Sequence, residues 1–368
     1  MQTKNENSPS AAGNLTLTEI LQQPELWLST SERVTQANWR LPLDRPLVVT
    51  GAGTSAYAAG AVANASRFAA GIPITDLLTS SARDIERLCP GFSQNGMLLS
   101  LARSGDSPES LGAVQRVRRV FPSVEHYAIT CNAEGQLARD RAICSLVLDP
   151  RTNDRSLAMT SSFTNLVLAG ILLLDPAPVQ HVLEKISARA AELLPKLQET
   201  ARSLVAEMEF GRAVILADAV LLPAARESAL KILEMTSGDV VALSETYLGL
   251  RHGPMSFLRP GSLILCLASA DLARHRYEVD LIRELQRKQL GRIVAIAPTD
   301  ARMPEPVLSV PAIAPELPDA LRTPFEVLFA QLLAYSLSLR SGHDPDNPSP
   351  SGVITRVVAG VQLYEIDA

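Results

Sequence analysis

Short apolar runs separated by longer helical patterns constrain what this 368-residue chain can fold into. Such runs are typical of buried β-strands, and helices between them imply right-handed crossovers and a mostly parallel sheet. Strands are predicted at residues 47–50, 74–78, 97–101, 126–130, 143–148, 213–217, 263–268 and 293–297. Helices are predicted from a cap near Thr18 and at residues 55–70, 108–120, 161–209 (broken near Pro176), 224–235, 277–289 and 325–339. The chain is therefore predicted to be an α/β protein.

The second half of the chain repeats the pattern of the first. Two apolar runs and the helix between them, at residues 98–102 and 127–130, are matched by runs at 265–269 and 294–297. This echo predicts two copies of one α/β unit. We divide the chain into a disordered tail (1–14), a first domain (15–195) and a second domain (196–368) with the C-terminal tail. Because the first copy alone has loops rich in glycine and hydroxyl groups, one site per chain is expected.

Composition excludes several classes of function. The formal net charge of -5 disfavours a nucleic-acid surface, so we interpret Arg116, Arg118 and Arg119 as a solvated helix face. The 4 cysteines form no C-x-x-C pair, which disfavours zinc and disulfides and fits a reducing cytosol. No apolar stretch approaches the roughly 20 residues needed to span a bilayer, and the polar N-terminus does not resemble a signal peptide. We expect a cytoplasmic protein with no metal, cofactor, nucleic-acid or membrane partner.

The loop after the first predicted strand has the composition of an anion-binding turn. Gly53, Thr54 and Ser55 begin the helix that follows it. Glycine lets the backbone approach a ligand, and the first N–H groups of a helix attract negative charge. The loop lacks the lysine of a nucleotide-binding loop. It therefore favours a small phosphate group held by hydroxyls and amides.

A second loop of the same kind follows the strand predicted at residues 97–101. It contains Ser104, Gly105 and Ser107, and Ser107 has the position of a helix N-cap. Each loop by itself is better explained as a capped helix start. Because ligands bind at the carboxyl ends of parallel strands, the two loops together predict a phosphate cradle. Whether Arg103 and Asp106, in the same loop, also contact the ligand is an open question at this point.

One predicted helix of the second half carries a row of charged residues. Glu227, Lys231 and Glu234 lie on nearly one face, at i, i+4 and i+7. A solvated row of ion pairs would have the same spacing. Apolar residues beside the row indicate partial burial, which raises the pKa of a carboxyl and suits it to proton transfer. Further along, His252 lies between Arg251 and a Gly-Pro turn, as either an ordinary turn histidine or an exposed catalytic imidazole.

Together these motifs resemble the double sugar isomerase (SIS) enzymes, including the isomerase half of glucosamine-fructose-6-phosphate aminotransferase. The motifs are Gly-Thr-Ser at 53–55, Ser-Gly-Asp-Ser at 104–107, Lys-x-x-Glu at 231–234 and His-Gly-Pro at 252–254. Three segments resemble more specifically the tagatose-6-phosphate ketose/aldose isomerase family, also called galactosamine-6-phosphate deaminase/isomerase (AgaS). These segments are residues 226–238, 249–257 and 346–352, and the whole resemblance covers residues 18–368.

The resemblance implies two SIS domains, each a mostly parallel sheet flanked by helices in a flavodoxin-like three-layer sandwich. It implies conversion of galactosamine 6-phosphate to tagatose 6-phosphate and ammonia, in a homodimer or dimer of dimers. Glu234 would move the proton between C1 and C2, His252 would open the sugar ring in a neighbouring subunit's site, and Lys231 would support the charge. The phosphate ligands it implies are Gly53, Thr54, Ser55, Ser104, Gly105 and Ser107.

Two departures from the aminotransferase bear on the direction of the reaction. That enzyme has a lysine near its C-terminus, whereas residues 347–356 contain none, and its glutamine-hydrolysing domain has no counterpart in this sequence. Without an ammonia source, deamination is the expected direction. A glucosamine-6-phosphate deaminase and a plain aldose–ketose isomerase stay open as alternatives, because the sequence gives neither the sugar epimer nor its acetylation. A non-catalytic sugar-phosphate sensor is a third alternative, although it would have little use for Lys231, Glu234 and His252 together.

Overall fold

The computed structural model describes residues 13–298, 302–358 and 360–365. The tail predicted to be disordered, residues 1–14, lies outside the described residues except for its last two members. Gly13 adopts a φ of 81° at the N-cap of the first helix, which begins at Asn14.

Helices and strands alternate through both halves of the chain. The first half contains helices α1 (Asn14–Leu21), α2 (Gln23–Gln36), α3 (Thr54–Ala63), α4 (Ile74–Thr79), α5 (Ala82–Leu88), α6 (Phe92–Asn95), α7 (Pro108–Val120), α8 (Gln136–Arg139), α9 (Ser161–Leu174) and α10 (Ala177–Gln180). Its strands are β1 (Leu47–Thr50), β2 (Ala69–Gly71), β3 (Met97–Ala102), β4 (Glu125–Thr130) and β5 (Cys144–Val147). Helix α11 (Leu183–Glu207) leads into the second half, and the predicted domain boundary at 195/196, which lies within it, stays a prediction.

The second half has a similar succession of strands and helices. Its strands are β6 (Arg212–Ala217), β7 (Val241–Glu245), β8 (Leu263–Leu267), β9 (Arg292–Ala297) and β10 (Leu308–Pro311). Its helices are α12 (Leu222–Met235), α13 (Tyr247–Leu250), α14 (Leu272–Arg287), α15 (Thr323–Glu326) and α16 (Leu328–Arg340). Short 3₁₀ helices cover Pro150–Thr152, Pro254–Phe257 and Asp319–Leu321.

Within the described residues the strands form two five-stranded sheets in which every pair is parallel. The first has the order β2-β1-β3-β4-β5, and the second, read from its other edge, is β7-β6-β8-β9-β10. Both match the 2-1-3-4-5 order of flavodoxin-like folds. Central strands such as β3 and β8 are apolar and buried along their whole length, because helices cover both faces. The predicted α/β fold with an internal repeat is confirmed.

Helices α3 and α12 pack against each other and join the two halves. Both contribute alanines to a core that extends through the two halves. A Cβ built on Gly60 in α3 would lie 3.5 Å from Cγ of Pro223 in α12. Near the same contact, Asn64 donates a hydrogen bond of 3.0 Å to the carbonyl of Val220. Helix α3, which follows β1, is therefore held beside α12, which follows β6.

The strand predicted at residues 74–78 is wrong, because this segment forms helix α4. The edge strand β2 lies earlier, at Ala69–Gly71, within the helix predicted for residues 55–70, which ends at Ala63. Two alanines and a glycine give a weak strand signal. Their small size has a tertiary cause, since a Cβ on Gly71 would lie 2.9 Å from Cα of Gly60 in α3. Close packing of α3 on β2 thus explains why this strand consists of residues with low β-propensity.

Other differences from the sequence predictions lie at edges and helix ends. Strands β7 and β10 were not predicted, and both are half-exposed edge strands with a weaker apolar pattern. Thr18 does not cap a helix, because it lies inside α1 and its hydroxyl donates to the carbonyl of Asn14. Arg116 is buried and donates to the carbonyl of Ser80, so the predicted solvated face of α7 is only partly correct.

The residues that the structure describes contain neither a membrane-spanning helix nor a metal-binding cluster. No helix there is long and apolar enough to cross a membrane. No group of three or more His, Cys, Asp and Glu side chains there could hold a metal ion.

Candidate active site

The loops after β1 and β3 leave the same edge of the first sheet. These strands are parallel neighbours, with Thr50 paired to Ser100, so both loops emerge where the strands end. Together they line a pocket of about 120 Å³. Ser55, Ser104 and Ser107 all contribute to its wall. The structure thus brings three hydroxyls from two separate loops to one small cavity.

Two glycines shape these loops. Gly53, at the N-cap of α3, has a φ of 55°, and Gly105 has a φ of 71°, a region that residues with a Cβ rarely adopt. A Cβ on Gly105 would also lie 3.3 Å from Oγ1 of Thr130. Within the described residues, the backbone N–H groups of Ser104 and Gly105 make no hydrogen bond. Unpaired amides beside hydroxyls are the donors that an anion needs.

Ser107 serves the helix and the pocket at once. Its hydroxyl accepts a hydrogen bond of 3.2 Å from the backbone N–H of Ser110, which makes it the N-cap of α7. Its oxygen also lies 2.7 Å from Oγ of Ser110. Pro108 occupies the first helical position, where a missing N–H costs nothing. The predicted cap is therefore confirmed, and the same residue lies on the wall of the pocket.

A buried acid–base cluster lies beside the pocket, on α12. Lys231 Nζ lies 3.3 Å from Oε1 of Glu227 and 2.5 Å from Oε2 of Glu234. The same ammonium donates to Oγ1 of Thr54 at 3.0 Å, and the Thr54 hydroxyl lies 3.4 Å from Oε1 of Glu227. Glu227 and Lys231 have no exposed surface, whereas the Glu234 side chain is 23% exposed. The row is therefore not a solvated set of ion pairs.

Burial sets the protonation of this cluster. It raises the pKa of Glu227 to about 8, against the smaller opposing effect of the Lys231 charge. Oε2 of Glu227 has no hydrogen-bond partner among the described residues, which fits a carboxyl that is mostly neutral at pH 7. Burial lowers the pKa of Lys231, but the two glutamates outweigh it, so the net shift is upward. Lys231 is thus a cation, and the partly exposed Glu234 is its nearest carboxyl partner.

Thr54 differs in orientation from the serines of the cradle. Its hydroxyl faces the cluster on α12 and is absent from the wall of the pocket. Thr54 is therefore the direct link between the loop after β1 and the acid–base residues.

His252 lies on an exposed turn after α13. Its backbone N–H donates to the carbonyl of Gly249, and Gly253 follows with a φ of 123°. Arg251 holds this turn against α14 through Asp280 and Glu284, at 2.7 Å each. The His252 imidazole makes no hydrogen bond or ion pair with any described residue, so this chain does not itself place it against Lys231 and Glu234.

Arg103 and Asp106 have different surroundings. Arg103 is 7% exposed, lines the pocket and donates to the carbonyls of Ser156 and Leu157. Asp106 accepts from the N–H of Gln136 at 2.9 Å and so anchors the start of α8. Its carboxylate does not line the pocket. Of the two open candidates, only Arg103 faces the cavity.

Sequence reasoning missed a charged residue of the pocket, Arg356. It lies in the C-terminal tail, yet it lines the cavity with the serines of the first half. Its carbonyl accepts a hydrogen bond of 2.6 Å from Arg103. The tail lacks the lysine of the aminotransferase. The presence of an arginine in the same segment was the signal that could have identified Arg356 as a site residue.

Several curated relatives and solved structures of high similarity to the chain point to one family. No protein-family model matches the chain. The AgaS protein of Streptomyces coelicolor is 38% identical over 96% of this chain and 96% of its own length. The D-galactosamine-6-phosphate deaminase AgaS of Shewanella sp. (strain ANA-3) is 35% identical over 95% of this chain and 91% of its own. The crystal structure of tagatose-6-phosphate ketose/aldose isomerase from Escherichia coli superposes with a TM-score of 0.80 at 28% identity, over 98% of this chain and 100% of that one.

The molecule has two flavodoxin-like sheets joined through α3 and α12, and a hydroxyl-lined pocket lies at the edge of the first sheet. These features define a phosphosugar enzyme with two SIS domains. Within this class, the chain is more than 30% identical in sequence to AgaS proteins along nearly its whole length. The chain belongs to the AgaS family of amino-sugar-phosphate deaminases and isomerases.

Proposed function

We propose that the protein is a galactosamine-6-phosphate deaminase/isomerase, which converts galactosamine 6-phosphate and water to tagatose 6-phosphate and ammonia. The observation that carries this proposal is the buried Glu227–Lys231–Glu234 cluster beside a hydroxyl-lined pocket, in a chain of the AgaS family. A phosphate in the pocket and a base next to it are what an aldose–ketose conversion requires.

The phosphate binds at the carboxyl edge of the first sheet. The hydroxyls of Ser55, Ser104 and Ser107 donate to its oxygens, and the free N–H groups of Ser104 and Gly105 add to them. Gly53 gives the other loop its turn, and the N–H of Thr54 at the start of α3 makes no hydrogen bond within the described residues. Binding at the phosphate holds the reacting carbons in place near α12.

Glu234 moves the proton. In the open-chain aldehyde, its carboxylate removes the proton from C2, which gives an enolamine, and returns it to C1. The product is an imine at C2, which water attacks, so that the C–N bond breaks and ammonia leaves behind a C2 ketone. Lys231 stabilises the negative charge that develops near O1, and neutral Glu227 holds Lys231 in place. A positioned general base of this kind contributes about 10²–10⁴-fold.

His252 opens the pyranose ring before this step. Because its imidazole is exposed and makes no contact within the described part of its own chain, we assign it to the site of a neighbouring subunit. The protein would then be a homodimer or a dimer of dimers. We also propose that it acts in the cytoplasm and that ammonia release makes it formally a hydrolase.

The test is ammonia release by the purified protein. Galactosamine 6-phosphate, glucosamine 6-phosphate and their N-acetyl forms are supplied separately, with Glu234→Gln as the matched variant. Ammonia from galactosamine 6-phosphate alone, reduced by about 10³-fold in the variant, is the expected result. Ammonia from none of the four sugars would overturn the proposal, and ammonia from the gluco sugar alone would correct the substrate.

A further inference from the structure

Two arginines from distant parts of the sequence meet in the pocket. Arg103 follows β3, and Arg356 lies in the C-terminal tail, 253 residues further along the chain. The tail crosses the loop before α9 and is fixed there, because Arg356 Nε donates to the carbonyl of Asp154 at 2.8 Å and Nη2 donates to Oδ1 of Asn153 at 2.6 Å. Both residues line the cavity to which Ser55, Ser104 and Ser107 also contribute.

Neither arginine has a carboxylate partner. In the described residues, neither forms a salt bridge, and the hydrogen bonds of Arg103 go to backbone carbonyls. The charges of Asp154 and, more weakly, Glu234 act on Arg103 without a hydrogen bond to it, and the oxygens of Asp154 accept hydrogen bonds from Thr160, Ser161 and Ser162 at the start of α9. Within the described residues, two cations are therefore brought together beside a cavity without a carboxylate bound directly to either of them.

Such an arrangement is costly unless something anionic completes it. Burial and, more weakly, the charge of Arg356 lower the pKa of Arg103. A buried charge is stable when it is paired and hydrogen-bonded. Each guanidinium has five N–H donors. In Arg103 the Nε–H, and in Arg356 both hydrogens of Nη1, have no acceptor among the described residues.

We propose that Arg103 and Arg356 form a clamp for the dianionic phosphate of the substrate, so that the C-terminal tail is part of the substrate site. The proposal rests on the proposed function, which supplies the sugar phosphate as ligand. In this proposal the phosphate is bound by positive charge as well as by neutral groups, because charge-assisted hydrogen bonds from the guanidinium groups add to those from hydroxyls and amides. The anion also replaces the missing carboxylate between the two cations.

Calorimetric binding tests the clamp without relying on turnover. The ligands are galactosamine 6-phosphate and unphosphorylated galactosamine, and the proteins are the wild type, Arg356→Gln, Arg356→Lys and Arg119→Gln. Arg119 pairs with Glu365 at the end of the tail, outside the pocket, so its variant loosens the tail and keeps both clamp residues. Tagatose 6-phosphate serves as the ligand if the amino sugar is turned over during the titration.

We expect Arg356→Gln to weaken binding of the phosphorylated sugar by about 10- to 100-fold, the range for one charge-assisted hydrogen bond. Arg356→Lys should recover part of this loss, and Arg119→Gln should bind as the wild type does. Unchanged binding by Arg356→Gln, or an equal loss in Arg119→Gln, would overturn the clamp. Strong binding of the phosphosugar without ammonia release would instead overturn the proposed function and leave the clamp standing.

Discussion

The carboxyl edges of the two sheets have the same topology and different contents. In the first half, the loop after β3 leaves the amides of Ser104 and Gly105 unpaired within the described residues and faces a pocket. In the second half, the loop after β8 has its amides already occupied. The N–H of Ser269 donates to both oxygens of Glu278, and the N–H of Ala270 donates to Asp319 at 3.0 Å.

The second half thus fills its anion position with its own carboxylates. Asp319 also accepts from Oγ of Ser269 and pairs with the fully buried Arg322 at 2.8 Å. Arg322 in turn binds Glu326 at 3.2 Å. The edge of a parallel sheet offers the same donors in both halves. Whether they bind a substrate depends on whether the chain supplies an internal acceptor, which supports one phosphate site per chain.

The largest expected effect is on the stability of the second half. Asp319→Ala removes one partner of the buried Arg322. It also leaves the Ala270 amide and the Ser269 hydroxyl without their acceptor. We expect the free energy of unfolding to fall by about 3–5 kcal/mol, measured by denaturant titration. Asp319→Asn, which keeps the shape of the side chain, should lose less. Equal stability of the alanine variant and the wild type would show that these carboxylates are not structural.

The converse change should abolish binding in the first half. Ser107 and Asp271 are the N-caps of α7 and α14, so Ser107→Asp places the residue of the second half in the pocket of the first. Aspartate caps a helix as well as serine does, and the melting temperature should hardly change. Its charge would repel a phosphate about 4 Å away by about 4 kcal/mol, or about 10³-fold in affinity.

The control for this change is Ser107→Asn, a neutral cap. It should bind galactosamine 6-phosphate within about tenfold of the wild type. Binding of the phosphorylated sugar by Ser107→Asp with wild-type affinity would move the phosphate away from α7.

A third difference between the halves lies within the sheets. His126, the second residue of β4, corresponds to Ile293 in β9. Burial lowers the pKa of His126 to about 4, and neither ring nitrogen has a partner in the described residues. The unfolded chain takes up a proton near pH 6.5, before the folded one does. Stability is therefore lost as pH falls from about 6.5 to about 4, by up to about 3 kcal/mol.

His126→Ile copies the second half and should remove this pH dependence. The measurement is the free energy of unfolding at pH 7 and at pH 4.5, in which the wild type should lose more stability than the variant. The same loss in both proteins would assign the acid sensitivity to groups other than His126.

Most of the fold was predictable because its signals are local. Helix α7 was predicted at its true bounds, since Ser107 and Pro108 are cap signals and Val120 ends the apolar period. Strand β3 is a buried run that is apolar except for Ser100. Strand β2 could not be predicted in this way, because the reason for Ala69–Gly71 is the approach of α3 in three dimensions.

The site was predictable to the extent that its residues form motifs. The charged row on α12 and both loops of the pocket could be read as sequence patterns. Arg356 could not, because its tie to the pocket runs through contacts with Arg103 and Asp154 that no spacing encodes. For the same reason, the direction of the Thr54 hydroxyl depends on how α3 packs on α12.

The smallest expected effect separates two roles of Thr54. Counted from the last strand residue, it corresponds to Leu221 in the second half, so Thr54→Val moves it toward the apolar counterpart. The variant removes the hydroxyl that bridges Glu227 and Lys231 and should cost about 1–2 kcal/mol of stability. Because the serines of the pocket are unchanged, we expect kcat for ammonia release to fall about tenfold while KM stays constant.

Thr54→Ser, which keeps the hydroxyl, should restore kcat. A rise in KM at constant kcat would contradict the bridge and return the Thr54 hydroxyl to the phosphate cradle that the sequence motif implies. The two outcomes differ in mechanism, because a hydroxyl on the phosphate stabilises substrate and transition state alike, whereas a hydroxyl on Lys231 affects only the step in which charge develops. The split between kcat and KM therefore decides whether the first loop serves binding alone or also joins the two halves at the reacting carbons.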